Sequence, residues 1–371
     1  MHKKYKRRLK TQQEFYNDIL SNMTDWVRVV DKENKVLFIN EPMKKSLGDI
    51  VGKECYRALN KTNPCKNCIS RMGICKGNSF TKEEIVDGKI YSVVSSPVWD
   101  EEKKNYCAVE VFRDVTEQKK MEDLIISQNQ KMKKDLEFAK RLQLRILPID
   151  GQYNGLKIAS KYTPSEQLGG DLYDVVEIDE ENTGIYIADV SGHGVTSSMM
   201  TMFIKQTIKN LCENAVDPAY TLKNLYGQYQ ELGIDSAYYV TIFYGVYNKK
   251  NKTFKYANAG HNCLPVLIRE DEIRELEIGG IPICRLFEDV DYEQGIVDLK
   301  KGDKILLYTD GISEAVHPKK GFFNSEGVLE TCEENRNKNV TILVYKLLRK
   351  VKEYANNEIK DDIAMIAMEV L

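Results

Sequence analysis

Apolar and polar positions change rhythm twice along this chain of 371 residues. Between residues 26 and 115, short apolar runs alternate with turn residues. VRVVDKENKVLFIN, residues 27–40, reads as strand, turn, strand, its apolar runs flanking polar residues 31–35. Helical fragments follow through Lys45 and Ile50. Three more strand-like segments lie at 80–86, 90–98 and 106–115, the first two joined by Asp87-Gly88, a strong hairpin signal. A helix over 9–24 leads into this region. From 117 to 147 the rhythm is helical. That stretch lacks Gly and Pro, and Met121, Ile125, Gln128, Met132, Leu136, Ala139, Leu142 and Ile146 recur three or four apart. Pro148 stops the helix, which at ~30 residues would span about 45 Å.

Beyond Pro148 strands dominate. They are predicted at 158–164, 184–190, 238–248, 253–258, 265–269, 273–278, 291–297, 304–308 and 363–370. Helices are predicted at 196–214, at 217–232 behind the Asp217-Pro218 start signal, and at 339–356. Many strands with two or three long helices outside them predict two packed sheets flanked by helices. The chain is thus expected to be α+β, with a first domain at 1–116, a helical linker at 117–147 and a second domain at 148–371.

Charge narrows the function classes. Charged residues make up 30% but nearly cancel, to a net −2, which argues against a global nucleic-acid or membrane-surface role. Lys3, Lys4, Lys6, Arg7, Arg8 and Lys10 form a local basic run. It reads as a solvated helix start, with a membrane or nucleic-acid contact as the alternative. No run reaches the ~18–20 apolar residues of a membrane span. The basic amino terminus has no apolar core of a secretion signal, so a cytoplasmic protein is expected. The linker stripe would be buried by pairing with a second copy, giving a homodimer, or by packing on its own domains. The histidines are His2, His193, His261 and His317, which excludes a phosphoacceptor histidine in the linker.

Nine cysteines without a secretion signal read as reduced thiols or metal ligands. Cys55, Cys65, Cys68 and Cys75 cluster with spacing C-x9-C-x2-C-x6-C. Three readings stand: four thiolates on Zn²⁺ or an iron–sulfur cluster, a reversible dithiol, or ordinary buried cysteines. Cys65 and Arg71 have the bare spacing of a cysteine-phosphatase loop. The segment lacks that loop's glycines, and Pro64 precedes the cysteine in place of the usual His.

The strongest chemistry lies in four acidic positions. Asp189 ends the apolar run Gly184-Ile-Tyr-Ile-Ala and is followed by Ser-Gly-His-Gly. Asp310 follows KILLYT and precedes Gly311. Asp361 and Asp362 precede the apolar run 363–371, and Asp171 closes Gly169-Gly170-Asp171. Carboxylates at strand ends beside glycines suit a hard cation. Unneutralised carboxylates ~4 Å apart would repel by about 4 kcal/mol per pair at an effective dielectric of 20, so such a cluster makes sense with cations bound. Oxygen donors select hard ions, and Mn²⁺ should bind more tightly than Mg²⁺. Two such ions ~3.5–4 Å apart activate water and clamp phosphate, the needs of phosphate-ester hydrolysis.

Two resemblances extend these readings. The hairpin at 25–40, the Gly48-to-Gly52 segment and the closing FRDVTE (112–117) resemble a PAS sensor domain over about 100 residues. LGGDLYD, IADVSGHG, YVTIFYGVY, YANAGHN, GDKILLYTDGISEA and DDIAMIAM, in that order, resemble the metal-dependent (PPM) serine/threonine phosphatases of the SpoIIE/RsbU branch. So does AKRLQLRILP at the linker's end. This second resemblance implies an α-β-β-α sandwich with two Mn²⁺ or Mg²⁺ ions. It also implies hydrolysis of phosphoserine or phosphothreonine on an anti-sigma-factor antagonist of the STAS type. By the same resemblance Asp189 would bridge both metals, with the Val190 carbonyl on one. Asp310 and Asp361 would hold the other metal, and Asp171 would bind the second site directly or through water. Asp362 would orient these groups or substitute for one, and Gly192 and Gly194 would admit the phosphate. His193 would be a general acid or a surface residue, and His261 a structural one. Ala364 departs from the branch, where Thr often follows the Asp pair. The alternative is a catalytically weak module of the same fold that sequesters a signalling partner. A diguanylate cyclase fails because Leu172-Tyr173 stands where that family has Glu-Phe.

Overall fold

The computed structural model describes residues 2–101, 104–192, 194–235 and 237–371, and the side chains of these except at 2–11, 212 and 213. The basic run at the amino terminus therefore has no described side chains, and His193 lies outside the described residues. The chain divides into two compact units, Met1–Lys131 and Met132–Leu371.

The first unit opens with α1 (His2–Asn22), β1 (Trp26–Val30), β2 (Val36–Ile39) and α2 (Glu41–Leu47). A short 3-10 turn (Arg57–Leu59), α3 (Ile69–Lys76), β3 (Phe80–Val86), β4 (Lys89–Asp100) and β5 (Asn105–Asp114) follow. The five strands form one antiparallel sheet in the order β2-β1-β5-β4-β3. Asp87 and Gly88 both take positive φ, 48° and 77°, as a tight two-residue hairpin requires. Asn40 fixes the start of α2: its side-chain oxygen accepts from Met43 N and Val27 N, and its amide donates to the Leu20 and Asp25 carbonyls. Trp26 stacks on Tyr91 at 4.4 Å over the apolar core.

Helix α4 (Thr116–Ile146) follows with 31 residues. Its apolar stripe is exposed at Met121, Ile125, Met132 and Leu142, whereas Ile146 packs on the second unit's core.

The second unit runs β6 (Gly151–Tyr153), β7 (Leu156–Thr163), β8 (Asp171–Glu177), β9 (Asn182–Val190), α5 (Val195–Asn210), a 3-10 turn (Cys212–Val216) and α6 (Pro218–Glu231). Next come β10 (Val240–Asn248), β11 (Thr253–Ala259), β12 (Val266–Ile268), β13 (Ile273–Glu275), β14 (Gly295–Asp298) and β15 (Lys304–Tyr308). The chain closes through α7 (Asp310–Ser313), β16 (Val316–His317), β17 (Gly321–Phe322), α8 (Asn324–Glu334), α9 (Val340–Tyr354) and β18 (Ile363–Val370). One sheet has the order β14-β11-β10-β9-β8 and the other β13-β12-β15-β18-β7-β6. Three apolar layers hold four layers of structure. Ile204, Leu222 and Tyr229 join α5 and α6 to the first sheet. Ile187, Phe243, Leu307 and Ile366 lie between the sheets. Val328, Leu343 and Leu347 join α8 and α9 to the second.

The expected helix at 196–214 ends at Asn210 and continues as the separate 3-10 turn. The sequence reading missed α8. It buries only Val328, Thr331 and Cys332 and carries Gly327, so neither periodicity nor propensity marks it.

Candidate functional site

The acidic residues meet at one end of the two sheets. In the β8–β9 ladder Asp171 lies directly opposite Asp189, and β10 holds Asp189 from its other side through Thr241. Like charges in register weaken a sheet, so this pairing is a local sacrifice of stability. Asp310 opens α7 just beyond β15, and Asp361 and Asp362 lead into the neighbouring strand β18.

Two side chains, Thr309 and Asp362, lock the sheets together here. The Thr309 hydroxyl donates to Asp171 at 2.6 Å and accepts from Ala364 N at 3.0 Å, while Thr309 N donates to the Ala364 carbonyl at 3.0 Å. Asp362 accepts from Ser165 N and Oγ at 2.7 and 2.8 Å and from Gly170 N at 2.7 Å. With both its oxygens engaged by the protein, Asp362 is a clamp on the Gly169-Gly170-Asp171 turn. Asp361 is exposed, and one of its oxygens accepts from Asp362 N. Gly170 has no room for a side chain: an added Cβ would stand 2.7 Å from the Val190 carbonyl and 2.9 Å from that of Gly192. Gly170→Ala is expected to displace this loop and lower turnover at the site at least about tenfold. Unchanged turnover would show that the loop tolerates movement.

Electrostatics show what the cluster lacks. Burial, then the charge of Asp189, holds Asp171 well above the usual carboxylate range. Burial, followed by Asp310, Asp361 and Asp362, raises Asp189 to about 7. Burial, with Asp361 and Glu314, raises Asp310 to about 6. Each would be ionised at low cost if a cation stood among them. Among the described residues no three His, Cys, Asp or Glu side chains are arranged to hold an ion by themselves. An Mg²⁺-type ion needs only one or two carboxylates and keeps several waters.

Raised carboxyl pKa values carry a sign. The folded chain binds these protons more tightly than the unfolded chain, so their contribution to stability falls as pH rises from about 4 through 7. In a chelator, Tm is expected to fall between pH 5 and 8 on this account. Saturating Mn²⁺ should restore about 5–10 °C at pH 8 and less at pH 5. A manganese gain larger at pH 5 than at pH 8 would contradict a cluster held apart by its own charge.

His261 is buried and structural. Its Nε2 faces the Tyr308 carbonyl at 2.9 Å and must donate to it, leaving Nδ1, 3.3 Å from the Thr241 hydroxyl, to accept. Burial pushes its pKa down to about 4, so the neutral ring braces β10 against the end of β15. Gly192 and Gly194 both have positive φ, 84° and 88°, the freedom expected of a loop that lets a ligand approach the backbone.

Sequence reading singled out the charges and passed over the groups that aim them: Thr309, Ser165, Thr241 and Gln143. Gln143, on α4, is buried. Its amide donates to the Gly169 carbonyl at 2.7 Å, and its oxygen accepts from Gly169 N at 3.2 Å. All four stand within or next to the motif segments, but an uncharged polar residue carries no sign of its partner.

The four clustered cysteines do not gather around one point. Cys55 is buried, Cys65 and Cys68 are partly exposed, and Cys75 is exposed near the end of α3. Seven residues of helix place Cys75 about 10 Å along the axis from Cys68. A structural zinc site needs four converging ligands, so the expected Zn²⁺ or iron–sulfur site at Cys55, Cys65, Cys68 and Cys75 does not fit these positions.

Comparison with known proteins gives a consistent picture. The family model for Stage II sporulation protein E matches residues 179–371. Phosphoserine phosphatase RsbU of Bacillus subtilis (strain 168) is 30% identical over 241 residues, covering 64% of this chain and 71% of that protein. Phosphoserine phosphatase RsbP of the same organism is 30% identical over 186 residues, covering 49% of this chain and 46% of that protein. Among solved structures, the SiaA-PP2C domain of Pseudomonas aeruginosa matches with a TM-score of 0.57 at 22% identity. It covers 65% of this chain and 98% of that one, a likeness of fold.

Proposed function

This chain belongs to the Stage II sporulation protein E family, and on that premise we propose that it is a metal-dependent protein phosphatase that removes phosphate from serine or threonine of a regulatory protein. The observation that carries the reading is the meeting of buried Asp171, half-buried Asp189 and Asp310, and exposed Asp361 at one end of two packed sheets, where their mutual repulsion calls for positive charge. Relatives whose names record phosphoserine phosphatase activity support it.

Asp189, the Val190 carbonyl, Asp171, Asp310 and Asp361 are the groups that would hold two Mn²⁺ or Mg²⁺ ions. When bound, these cations supply an activated water and neutralise the phosphoryl oxygens. The chain's own part is positioning. Thr309 fixes Asp171, Asp362 fixes the turn before it, and His261 fixes the strand end that delivers Asp310. The substrate is assigned as a phosphorylated anti-sigma-factor antagonist of the STAS type, the class that the family resemblance implies.

The first unit is assigned as a PAS-type sensor, supported by its five-stranded antiparallel sheet in the order β2-β1-β5-β4-β3. The exposed stripe of α4 is assigned to pairing with a second copy. That helix starts in the first unit and carries Gln143, which grips the turn before Asp171, so a change in α4 would reach the site. Among the described residues no helix is long and apolar enough to cross a membrane. The test is phosphate release from a phosphoserine-bearing antagonist with and without Mn²⁺. Release only with the cation supports the reading, and no release under either condition refutes it.

A further inference from the structure

The cysteine segment in the first unit has chemistry that phosphate hydrolysis does not use. Lys66 and Asn67 form a turn between Cys65 and Cys68. A four-residue turn brings its first and last Cα atoms within about 7 Å, and a disulfide needs about 4.4–6.8 Å. Cys68 caps the start of α3, and both cysteines are partly exposed. Lys82 Nζ stands 3.6 Å from Cys65 Sγ, and Lys61 Nζ stands 3.9 Å from it. Neither ammonium is loose, because both also donate to the buried carboxylate of Glu84. A sulfur of a partly exposed cysteine, faced by two anchored cations, is the setting in which thiols act as nucleophiles.

The neighbouring thiols differ. Cys55 is buried, and burial pushes it up to about 11, so it stays protonated. Cys75 is the more exposed, but it sits two helical turns beyond Cys68.

We propose that Cys65 and Cys68 form a hydroperoxide-reactive pair, in which Cys65 attacks and Cys68 resolves. The Cys65 sulfur bonds to one peroxide oxygen and the O–O bond breaks. Cys65 becomes a sulfenic acid, and the other oxygen leaves as water or an alcohol with the thiol's proton. The Cys68 sulfur then displaces the sulfenic hydroxyl, which departs as water with the Cys68 proton, and the S–S bond forms. Two thiols are oxidised to one disulfide, and one hydroperoxide is reduced.

The test uses the full-length reduced chain and peptide mass spectrometry. A short iodoacetamide pulse is expected to label Cys65 at least about tenfold faster than Cys75, against the order of exposure. Hydrogen peroxide should yield a Cys65–Cys68 linked peptide lighter by two hydrogens, released by dithiothreitol. In Cys68→Ser the reaction should stop at a sulfenic acid on Cys65 that dimedone traps. Lys82→Met should slow labelling of Cys65 and leave that of Cys75 unchanged. Labelling of Cys75 as fast as Cys65 in the parent chain, or peroxide treatment that leaves Cys65 and Cys68 unlinked, overturns the proposal.

Discussion

Asp310→Asn is expected to lower manganese-dependent phosphate release by about a thousandfold or more while leaving the chain no less heat-stable in a chelator. The first effect follows from losing a proposed ligand of the metal centre: a thousandfold is about 4 kcal/mol of transition-state stabilisation, within the several kcal/mol that metal charge supplies to phosphoryl transfer. The second follows from the neighbours. Asp310 is raised to about 6 by burial and by Asp361 and Glu314, so above that pH its charge opposes folding when no cation is present. An amide removes the charge and keeps the shape. The same variant should lose most of the Tm gain on adding Mn²⁺. A purely structural Asp310 would give the opposite pair of results, a lower Tm in chelator and an undiminished manganese gain.

Gln143→Ala is expected to lower turnover about tenfold and Tm by roughly 5–20 °C. The substitution removes a donor to the Gly169 carbonyl and an acceptor for Gly169 N. Each buried backbone group left unpaired costs about 1–3 kcal/mol, and in a unit of this size 1 kcal/mol is about 2–4 °C. The turn it releases leads directly into Asp171, whose partners Thr309 and Asp189 set the site's geometry. Gln143→Glu keeps the acceptor but turns a buried anionic oxygen toward the Gly169 carbonyl, so it should be at least as damaging as the alanine variant. If Tm falls and turnover does not, the contact is packing alone and α4 does not govern the site.

Much of the fold was legible because its signals are local. The Asp87-Gly88 hairpin, the Asp217-Pro218 helix start and the strand β10, buried along all but its last residue, each announce themselves within a few residues. Helix α8 did not, since tertiary packing of a few side chains, not periodicity, holds it. The site shows the same division. Aspartates at strand ends beside glycines are visible as a pattern, but Asp171 meets Thr309 across 138 positions and Ser165 meets Asp362 across 197. Hydrogen bonds of that separation have no sequence period. The cysteine spacing misled for a related reason: four thiols in 21 residues look like one site until the helix carries Cys75 away. His193 lies outside the described residues, and no role is assigned to it.

The measurement that bears most directly on the proposed chemistry is anomalous scattering from a manganese-soaked crystal of the full chain. Two manganese peaks about 3.5–4 Å apart, bounded by Asp171, Asp189, the Val190 carbonyl, Asp310 and Asp361, are the expected result. A crystal saturated with manganese that shows no peak among these carboxylates would contradict it.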